Sequence, residues 1–201
     1  MKGIKDRINL VELPAAVPQR GNRFTRLFGQ IYTAVIGWHY AGTFPDLSKF
    51  VIVLAPHTSN MDFAMGLAPL FALGLRISFM AKSTLFWEPL GTYLRWLGAA
   101  PIDRKGVGGY VQAAIREFNE QDKFVLAITP EGTRSKVNRW KTGFYHIARG
   151  ANVPILPVVF DYSQREFRFE KLLWPSDDMD EDIKKLMSFY NAKQARLPEN
   201  F

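Results

Sequence analysis

Two residues able to act as an acid–base pair, His57 and Asp62, lie in a short polar segment between two apolar runs, 50–55 and 63–75. On one continuous helix, a spacing of five residues would turn the two side chains about 140° apart. If the helix instead begins near Ser59, Asp62 takes the capping-box position and its carboxylate turns back toward the imidazole. The carboxylate would then fix one ring nitrogen and leave the other free as a base. The alternative is a helix cap beside an ordinary loop histidine.

A second polar loop follows the apolar run 124–128. It combines an acid, a glycine, an arginine and two hydroxyls: Glu131, Gly132, Thr133, Arg134 and Ser135. The glycine permits a tight turn and the close approach of a ligand. The planar guanidinium of Arg134 is suited to a phosphate, and the two hydroxyls add donors. The loop favours phosphate binding, with a solvated basic turn as the alternative.

Two further segments follow predicted strands. Arg104 comes directly after the short apolar run 99–102. Because the carboxyl ends of parallel strands gather at one rim of a sheet, Arg104 is expected near Arg134. The run 153–159 contains Pro154 and Pro157, and this predicts entry to an edge strand, or a wall, because proline interrupts strand pairing.

The elements that must position these residues alternate between two periodicities. Apolar runs predict strands at 50–55, 77–81, 99–102, 123–129, 154–162 and 165–171, the last two forming a hairpin. Helical spacing predicts helices at 22–40, 60–75, 85–97, 111–118, 142–149 and from 176 onward. The alternation indicates a single α/β domain with a mostly parallel β-sheet flanked by helices. We expect a catalytic domain at 45–201, preceded at 1–44 by a lead-in and an amphipathic helix.

The helix predicted at 22–40 has apolar side chains at helical spacing: Phe24, Leu27, Phe28, Ile31, Val35 and Trp38. Arginines accompany them, and this combination is typical of a helix that lies in a membrane interface. A helix that packs its apolar face on the protein's own core has the same pattern. The sequence leaves both possibilities open. No apolar run reaches the ~20 residues needed to span a bilayer, so peripheral attachment is expected.

Composition narrows the chemistry further. The 201 residues include no cysteine and only three histidines, with a net charge of +7. The absence of cysteine excludes thiol nucleophiles, and so few histidines make a zinc site unexpected. Neither a Gly-x-Ser-x-Gly elbow nor a Gly-Lys-Ser/Thr phosphate loop occurs, so neither an acyl-serine intermediate nor nucleotide hydrolysis is supported. The positive charge suits phosphorylated ligands, an acidic carrier or an anionic membrane, whereas no nucleic-acid-binding motif is present.

Four segments resemble, in order and approximate spacing, the motifs of the glycerolipid acyltransferases. They are His57-x4-Asp62, Pro-Ile-Asp-Arg at 101–104, Pro-Glu-Gly-Thr-Arg-Ser at 130–135, and Val-Pro-Ile-Leu-Pro at 153–157. The nearest type resembles the bacterial lysophosphatidate acyltransferases, over about residues 50–162. The chain departs from the family at Pro56, where an asparagine is common, and at Thr129, where an aromatic residue is common.

The resemblance implies a role for each matched residue. His57 would be the general base that deprotonates the acceptor hydroxyl, and Asp62 would orient it. Arg104 and Arg134 would hold the acceptor phosphate, in a site shaped by the rest of the second loop: Glu131, Gly132, Thr133 and Ser135. Pro154 and Pro157 would line the acyl-donor or acyl-chain side.

The resemblance also implies partners and a location. The acyl donor would be acyl-CoA or acyl carrier protein, with no other cofactor and no metal. The acceptor would be a lyso-phospholipid such as 1-acyl-glycerol-3-phosphate, at the cytoplasmic face of a membrane. A different lyso-lipid acceptor, or a non-catalytic lipid- or acyl-carrier-binding protein, is the alternative. The sequence does not decide the acceptor, the acyl-chain length, the donor or the oligomeric state.

Overall fold

A computed structural model describes residues 11–102 and 107–201. Its strands are β1 His39–Gly42, β2 Lys49–Ala55, β3 Ser78–Lys82, β4 Ala99–Ile102, β5 Phe124–Ile128, β6 Ile155–Asp161 and β7 Glu166–Phe169. Its α-helices are α1 Arg23–Val35, α2 Met61–Leu73, α3 Leu90–Leu97, α4 Val107–Glu120, α5 Gly143–Gly150 and α6 Met179–Met187. Short 3₁₀ turns occur at Ser83–Leu85, Ala192–Gln194 and Pro198–Asn200. Arg104, the second arginine of the predicted phosphate site, lies outside the described residues.

The strands form one sheet in the order β1–β7–β6–β2–β5–β3–β4. All neighbouring strands are parallel except β6 and β7, which form the predicted antiparallel hairpin. The fold is therefore the predicted α/β domain with a mostly parallel sheet. Because side chains alternate along β2, Phe50 and Ile52 enter one core and Val51 and Val53 enter the other.

Helices cover both faces of the sheet. The first core contains α2 residues such as Met65 and Ala68, together with Trp38 and Tyr40. The second contains side chains of α4, α5 and α6, among them Phe118, Phe144 and Leu186. With both faces buried, strands such as β6 consist entirely of buried residues, which is why they appear in the sequence as continuous apolar runs.

The predicted helix at 22–40 is shorter than its apolar spacing suggested. It ends at Val35, and Gly37 then adopts a left-handed φ of 70° that ends the helical path. The chain continues into β1, which pairs with β7 and contains the buried Tyr40. Strand β1 thus lies before the predicted boundary between residues 44 and 45 and belongs to the same sheet as the strands after it.

Helix α1 packs through its small and polar side. Gly29, Gln30 and Thr33 are its buried residues. A Cβ atom on Gly29 would lie 2.2 Å from the backbone nitrogen of Ala72, so only glycine allows α1 to approach α2 this closely. Tyr32 and Ala34 also pack against the core, whereas the other large apolar residues of α1 are exposed, and Phe24 and Val35 are 81% and 79% exposed.

The prediction that the proline-containing run 153–159 enters an edge strand is wrong, because β6 lies between β2 and β7. Pro157 is tolerated there for a local reason. Its carbonyl accepts a hydrogen bond from Glu170 N just beyond the last β6–β7 pair, Val158 with Phe169. The N–H that proline lacks would point to the same side, at a break between the β6–β7 ladder and the isolated bridge from Ile155 to Leu173.

Candidate active site

Three adjacent parallel strands end at one rim of the sheet, which we call the carboxyl rim. His57 follows β2, Glu131 follows β5, and Tyr162 follows β6 directly. Strand β2 lies between the other two, so the three loops converge on the segment that carries the histidine. Open α/β sheets place their ligands at this edge.

The Asp62 carboxylate is the centre of the rim and is only 1% exposed. Its Oδ2 accepts hydrogen bonds from Thr58 N and Ser59 N, both at 2.7 Å. Its Oδ1 accepts hydrogen bonds from Ser59 Oγ at 3.1 Å and from the Tyr162 hydroxyl at 2.6 Å. Ser59 Oγ in turn accepts a hydrogen bond from Met61 N at 3.1 Å. The carboxylate therefore turns back to the backbone N–H of Ser59, as predicted, although the N-cap of α2 is Asn60 and not Ser59.

The His57 ring lies against this carboxylate. Its Nδ1 is 3.4 Å from Asp62 Oδ2, and the ring is 19% exposed. That distance is longer than a well-formed hydrogen bond, and Nδ1 has no closer partner among the described residues. Such contacts are often long in an unliganded site and shorten when the reacting group binds. No described residue forms a hydrogen bond with Nε2, so that nitrogen is available to a ligand.

The electrostatics favour an anionic Asp62. Burial opposes ionisation, but the adjacent His57 ring and the hydrogen bonds from Tyr162 and Ser59 outweigh it and hold the pKa of Asp62 below its usual value. An ionised carboxylate beside Nδ1 stabilises the imidazolium that forms when Nε2 takes a proton.

Glu131 supports the histidine segment from the other side. Its two carboxylate oxygens both accept the His57 backbone N–H, at 3.1 Å each, and the residue is 7% exposed. Burial raises the pKa of Glu131 to about 7, although the hydrogen bond from His57 opposes the rise. The resemblance grouped Glu131 with the residues that shape the phosphate site; in the structure its carboxylate accepts the backbone N–H of His57.

The rest of the second loop lies at the surface of the rim. Arg134 Nη1 donates to the side-chain oxygen of Asn60, the residue that precedes α2. Thr133 and Ser135 are exposed beside it, and Ser135 N lies 3.4 Å from Thr133 Oγ1. The structure thus brings Arg134 to the loop that carries His57, as expected for a phosphate site beside a base.

Gly132 is favoured by its backbone conformation, because its φ of 63° lies in the left-handed region that other residues rarely adopt. The Lys141 side chain lies against it, with Nζ 2.9 Å from where a Cβ atom would be. A second cation therefore lies over the turn. Pro154 and Pro157 are both buried, Pro157 within β6 and Pro154 directly before it.

Sequence reasoning missed two parts of the site. One is Tyr162, which lies 100 positions from the aspartate it contacts. The other is the C-terminal segment, where Leu197 N donates to Thr58 Oγ1 at 3.2 Å and Asn200 Nδ2 donates to the Thr58 carbonyl at 3.3 Å. No local spacing signals either contact, because both are made only when the chain folds.

Known proteins share sequence similarity with the part of the chain that forms this rim. A family model described as Acyltransferase matches residues 39–161, which include β1, the His57 loop and the Glu131 turn. The chain belongs to the acyltransferase family. The match begins at the first residue of β1 and ends at the last residue of β6.

Several relatives are named for the same activity. The 1-acyl-sn-glycerol-3-phosphate acyltransferase of Limnanthes douglasii is 31% identical over 151 residues, covering 68% of this chain and 52% of the relative. The alpha form from Mus musculus is 33% identical over 158 residues, covering 71% and 51%. The Escherichia coli K12 protein is 29% identical over 132 residues, covering 60% and 51%. The chain thus spans about half the length of these relatives.

A solved structure confirms the fold. The 1-acyl-sn-glycerophosphate (LPA) acyltransferase of Thermotoga maritima superposes with a TM-score of 0.60 at 20% identity, covering 83% of this chain and 75% of that one.

The raised pKa of Glu131 predicts a pH-dependent stability. The folded state keeps this proton up to about pH 7, whereas an ordinary glutamate ionises near 4.5. The folded state therefore binds more protons in that window, and the Glu131 contribution becomes less favourable as the pH rises through it. Glu131→Gln removes this dependence, so the stability of the variant relative to wild type rises by up to about 3 kcal/mol across the window and then levels off. Urea denaturation of both proteins at several pH values measures the difference; parallel curves would contradict the buried titration of Glu131.

Proposed function

We propose that this chain transfers a fatty acyl group from a thioester to a hydroxyl of a lyso-phospholipid such as 1-acyl-glycerol-3-phosphate. Family membership and the names of the relatives support the reaction class. One observation carries the assignment of roles. The His57 ring lies with Nδ1 toward the buried Asp62 carboxylate and with Nε2 unengaged, at the same rim as Arg134.

The reaction follows from this arrangement. The acceptor hydroxyl gives its proton to His57 Nε2 while its oxygen attacks the thioester carbonyl carbon. The Asp62 anion stabilises the imidazolium through Nδ1. When the tetrahedral intermediate collapses, the C–S bond breaks and the leaving thiolate takes the proton from Nε2. The products are the acylated lipid and the free thiol of CoA or acyl carrier protein, and no metal is needed.

The acceptor phosphate is bound, in this proposal, by the second loop. Arg134 presents a planar guanidinium that can bind a phosphate in a bidentate manner, and Lys141 adds a point charge over Gly132. The hydroxyls of Thr133 and Ser135 are exposed beside them. Arg134 contacts Asn60 at the start of α2, so the phosphate would also lie near the positive end of a 13-residue helix. Arg104 would add a second guanidinium.

A continuous apolar surface, which we call the aromatic face, supports attachment to a membrane. It consists of the exposed residues of α1 and rings from α2 and α3: Phe24, Leu27, Phe28, Ile31, Val35, Phe71, Tyr93 and Trp96. Ring contacts join Phe28 to Phe71, Phe71 to Trp96, and Trp96 to Tyr93. Within the part of the chain that the structure describes, no helix is long and apolar enough to cross a bilayer.

The border of the aromatic face has the chemistry of a lipid headgroup layer. The Arg20 guanidinium lies 5.2 Å from the centre of the Trp96 ring and donates to the Trp96 carbonyl at 2.7 Å. Arginine beside tryptophan and tyrosine is the usual composition of an interfacial surface. We therefore propose that the chain attaches peripherally to the cytoplasmic face of a membrane.

Helix α2 connects this face to the chemistry. Its first turn contains Asp62, and Met61 and Phe63 beside it are 42% and 44% exposed. Its last turn packs on α1 and contributes Phe71 to the aromatic face. A lyso-lipid held in the membrane would thus meet apolar side chains between the bilayer and the carboxyl rim.

Replacement of the base and its orienting acid is expected to abolish acyl transfer. His57→Ala removes the proton acceptor, and Asp62→Asn removes the anion that stabilises the imidazolium, so each should lower kcat by roughly a thousandfold or more. Thiol release from acyl-CoA and from acyl carrier protein, with a lyso-phospholipid acceptor, measures the rate, and circular dichroism checks the fold. Retention of full activity by His57→Ala would contradict the mechanism. Binding to lipid vesicles by a wild-type chain that never turns over would favour the non-catalytic alternative.

Removal of the Arg134 guanidinium should weaken acceptor binding and leave donor binding unchanged. Arg134→Ala is expected to raise the KM for the phosphorylated acceptor roughly tenfold or more, with the donor KM little changed, because a charged hydrogen bond to phosphate is lost. Arg116→Ala, an exposed arginine on α4, is the matched control and should change neither KM. An acceptor KM that is equal in Arg134→Ala and wild type would remove Arg134 from the phosphate site.

Loss of apolar area from α1 should weaken vesicle binding. The double variant Phe24→Ser with Val35→Ser removes two side chains that are mostly exposed, so the fold should survive. Each buried side chain of this size contributes about 1.5–3 kcal/mol, so binding should fall at least tenfold. Co-sedimentation with vesicles containing anionic phospholipid measures it. Trp174→Ser, which removes an exposed ring outside the aromatic face, is the control; equal loss in both variants would argue against a specific surface.

A further inference from the structure

Tyr162 is fixed on several sides beside the catalytic pair. Its hydroxyl donates to Asp62 Oδ1 at 2.6 Å. Its ring packs edge-on against Trp38, with the ring centres 4.9 Å apart and the planes at 87°. Its backbone N–H donates to the Gln194 carbonyl at 3.0 Å. The residue is the first of the turn after β6, so it lies next to the end of a central strand of the sheet.

The two oxygens of Asp62 have different partners. Oδ2 accepts the two backbone N–H groups of Thr58 and Ser59 and faces His57 Nδ1. Oδ1 is on the opposite side and accepts only the hydroxyls of Ser59 and Tyr162 among the described residues. The Ser59 hydroxyl is at 3.1 Å, whereas the tyrosine hydroxyl is at 2.6 Å, so Tyr162 makes the closer contact. A donor on Oδ1 both fixes the rotation of the carboxylate and draws negative charge away from Oδ2.

We propose that Tyr162 is a positioning residue of the acyltransferase site, acting through Asp62 to fix the orientation and basicity of His57. The proposal rests on the acyl-transfer function proposed above. The tyrosine touches neither the acceptor nor the thioester; its effect reaches the base through the carboxylate. It lies one position beyond the matched family region, which ends at residue 161.

The charged surroundings keep Tyr162 a donor. Burial and the neighbouring Asp62 carboxylate raise the pKa of Tyr162, so the hydroxyl keeps its proton in neutral solution. The other ionisable groups around this pair are His57 on the loop after β2, Glu131 on the turn after β5, and Arg196 on the C-terminal segment, whose charge opposes the rise. Only the tyrosine donates a proton to Oδ1 from outside the His57 loop, within the described chain.

The chain contains a matched control for a buried tyrosine–aspartate hydrogen bond. The Tyr145 hydroxyl, on α5, donates to Asp182 Oδ2 at 2.9 Å, and Asp182 lies on α6. This pair joins two helices and makes no contact with His57 or Asp62. Tyr145→Phe therefore removes the same chemical group and leaves the catalytic pair intact.

The test is a steady-state comparison of Tyr162→Phe, Tyr145→Phe and wild type with acyl-CoA and a lyso-phospholipid. Tyr162→Phe is expected to lower kcat roughly ten- to a hundredfold, the equivalent of one hydrogen bond to a charged group, with both KM values within about twofold of wild type. The acidic limb of kcat/KM should move to higher pH. Without the tyrosine hydroxyl, more negative charge lies on Asp62 Oδ2, so the imidazolium of His57 becomes more stable. The neutral base is then available only at higher pH. Tyr145→Phe should show neither change.

A second substitution keeps the ring and the hydroxyl and so preserves the fold. Site-specific 3-fluorotyrosine at position 162 is a stronger donor and should move the same limb in the opposite direction, to lower pH. If both variants have the same kcat and the same acidic limb of kcat/KM as wild type, the positioning role is overturned. Loss of activity in His57→Ala would still uphold the proposed function. If wild type itself transfers no acyl group, the proposed function and the role of Tyr162 are both overturned.

Discussion

The hydrogen bonds accepted by the Asp62 carboxylate hold the functional end of this molecule together. A buried charge costs several kcal/mol unless donors surround it, and here the donors come from the His57 loop and from the end of β6. The same bonds turn the loop and begin α2. They also place an anion beside His57 Nδ1. Folding of the rim therefore also places the Asp62 anion beside the His57 ring.

Helix α2 connects the carboxyl rim to the exposed surface of α1. One end contains Asp62, and the other approaches α1 so closely that Gly29 has no room for a side chain. Since α1 uses its small and polar side for this contact, its apolar side remains exposed beside Phe71 and Trp96. Because the polar side of this amphipathic helix packs on the protein's own core, a large apolar surface remains exposed. In our proposal this surface contacts a lipid bilayer.

Local patterns in the sequence were sufficient for six of the seven described strands, the mostly parallel sheet and the turn of Asp62 back to Ser59, because each depends on periodicity or on contacts within a few residues; they missed β1, whose first residues were assigned to the preceding helix. They were insufficient where distant contacts decide. The spacing of Trp38 extended a helix that Gly37 ends, and Pro157 suggested an edge in a strand that lies inside the sheet. The contact of Glu131 with His57 spans 74 positions, so only the folded sheet brings the two together.

The central claim is that a His–Asp base acts beside a phosphate site on a lyso-lipid hydroxyl. The most direct measurement offers the purified chain a panel of lyso-lipids, with and without a phosphate, together with acyl-CoA or acyl carrier protein, and identifies the products by mass spectrometry. Our account predicts acylated product from phosphate-bearing acceptors, with much less from matched acceptors that lack the phosphate. Equal product from both kinds of acceptor, or no product from any, would contradict it.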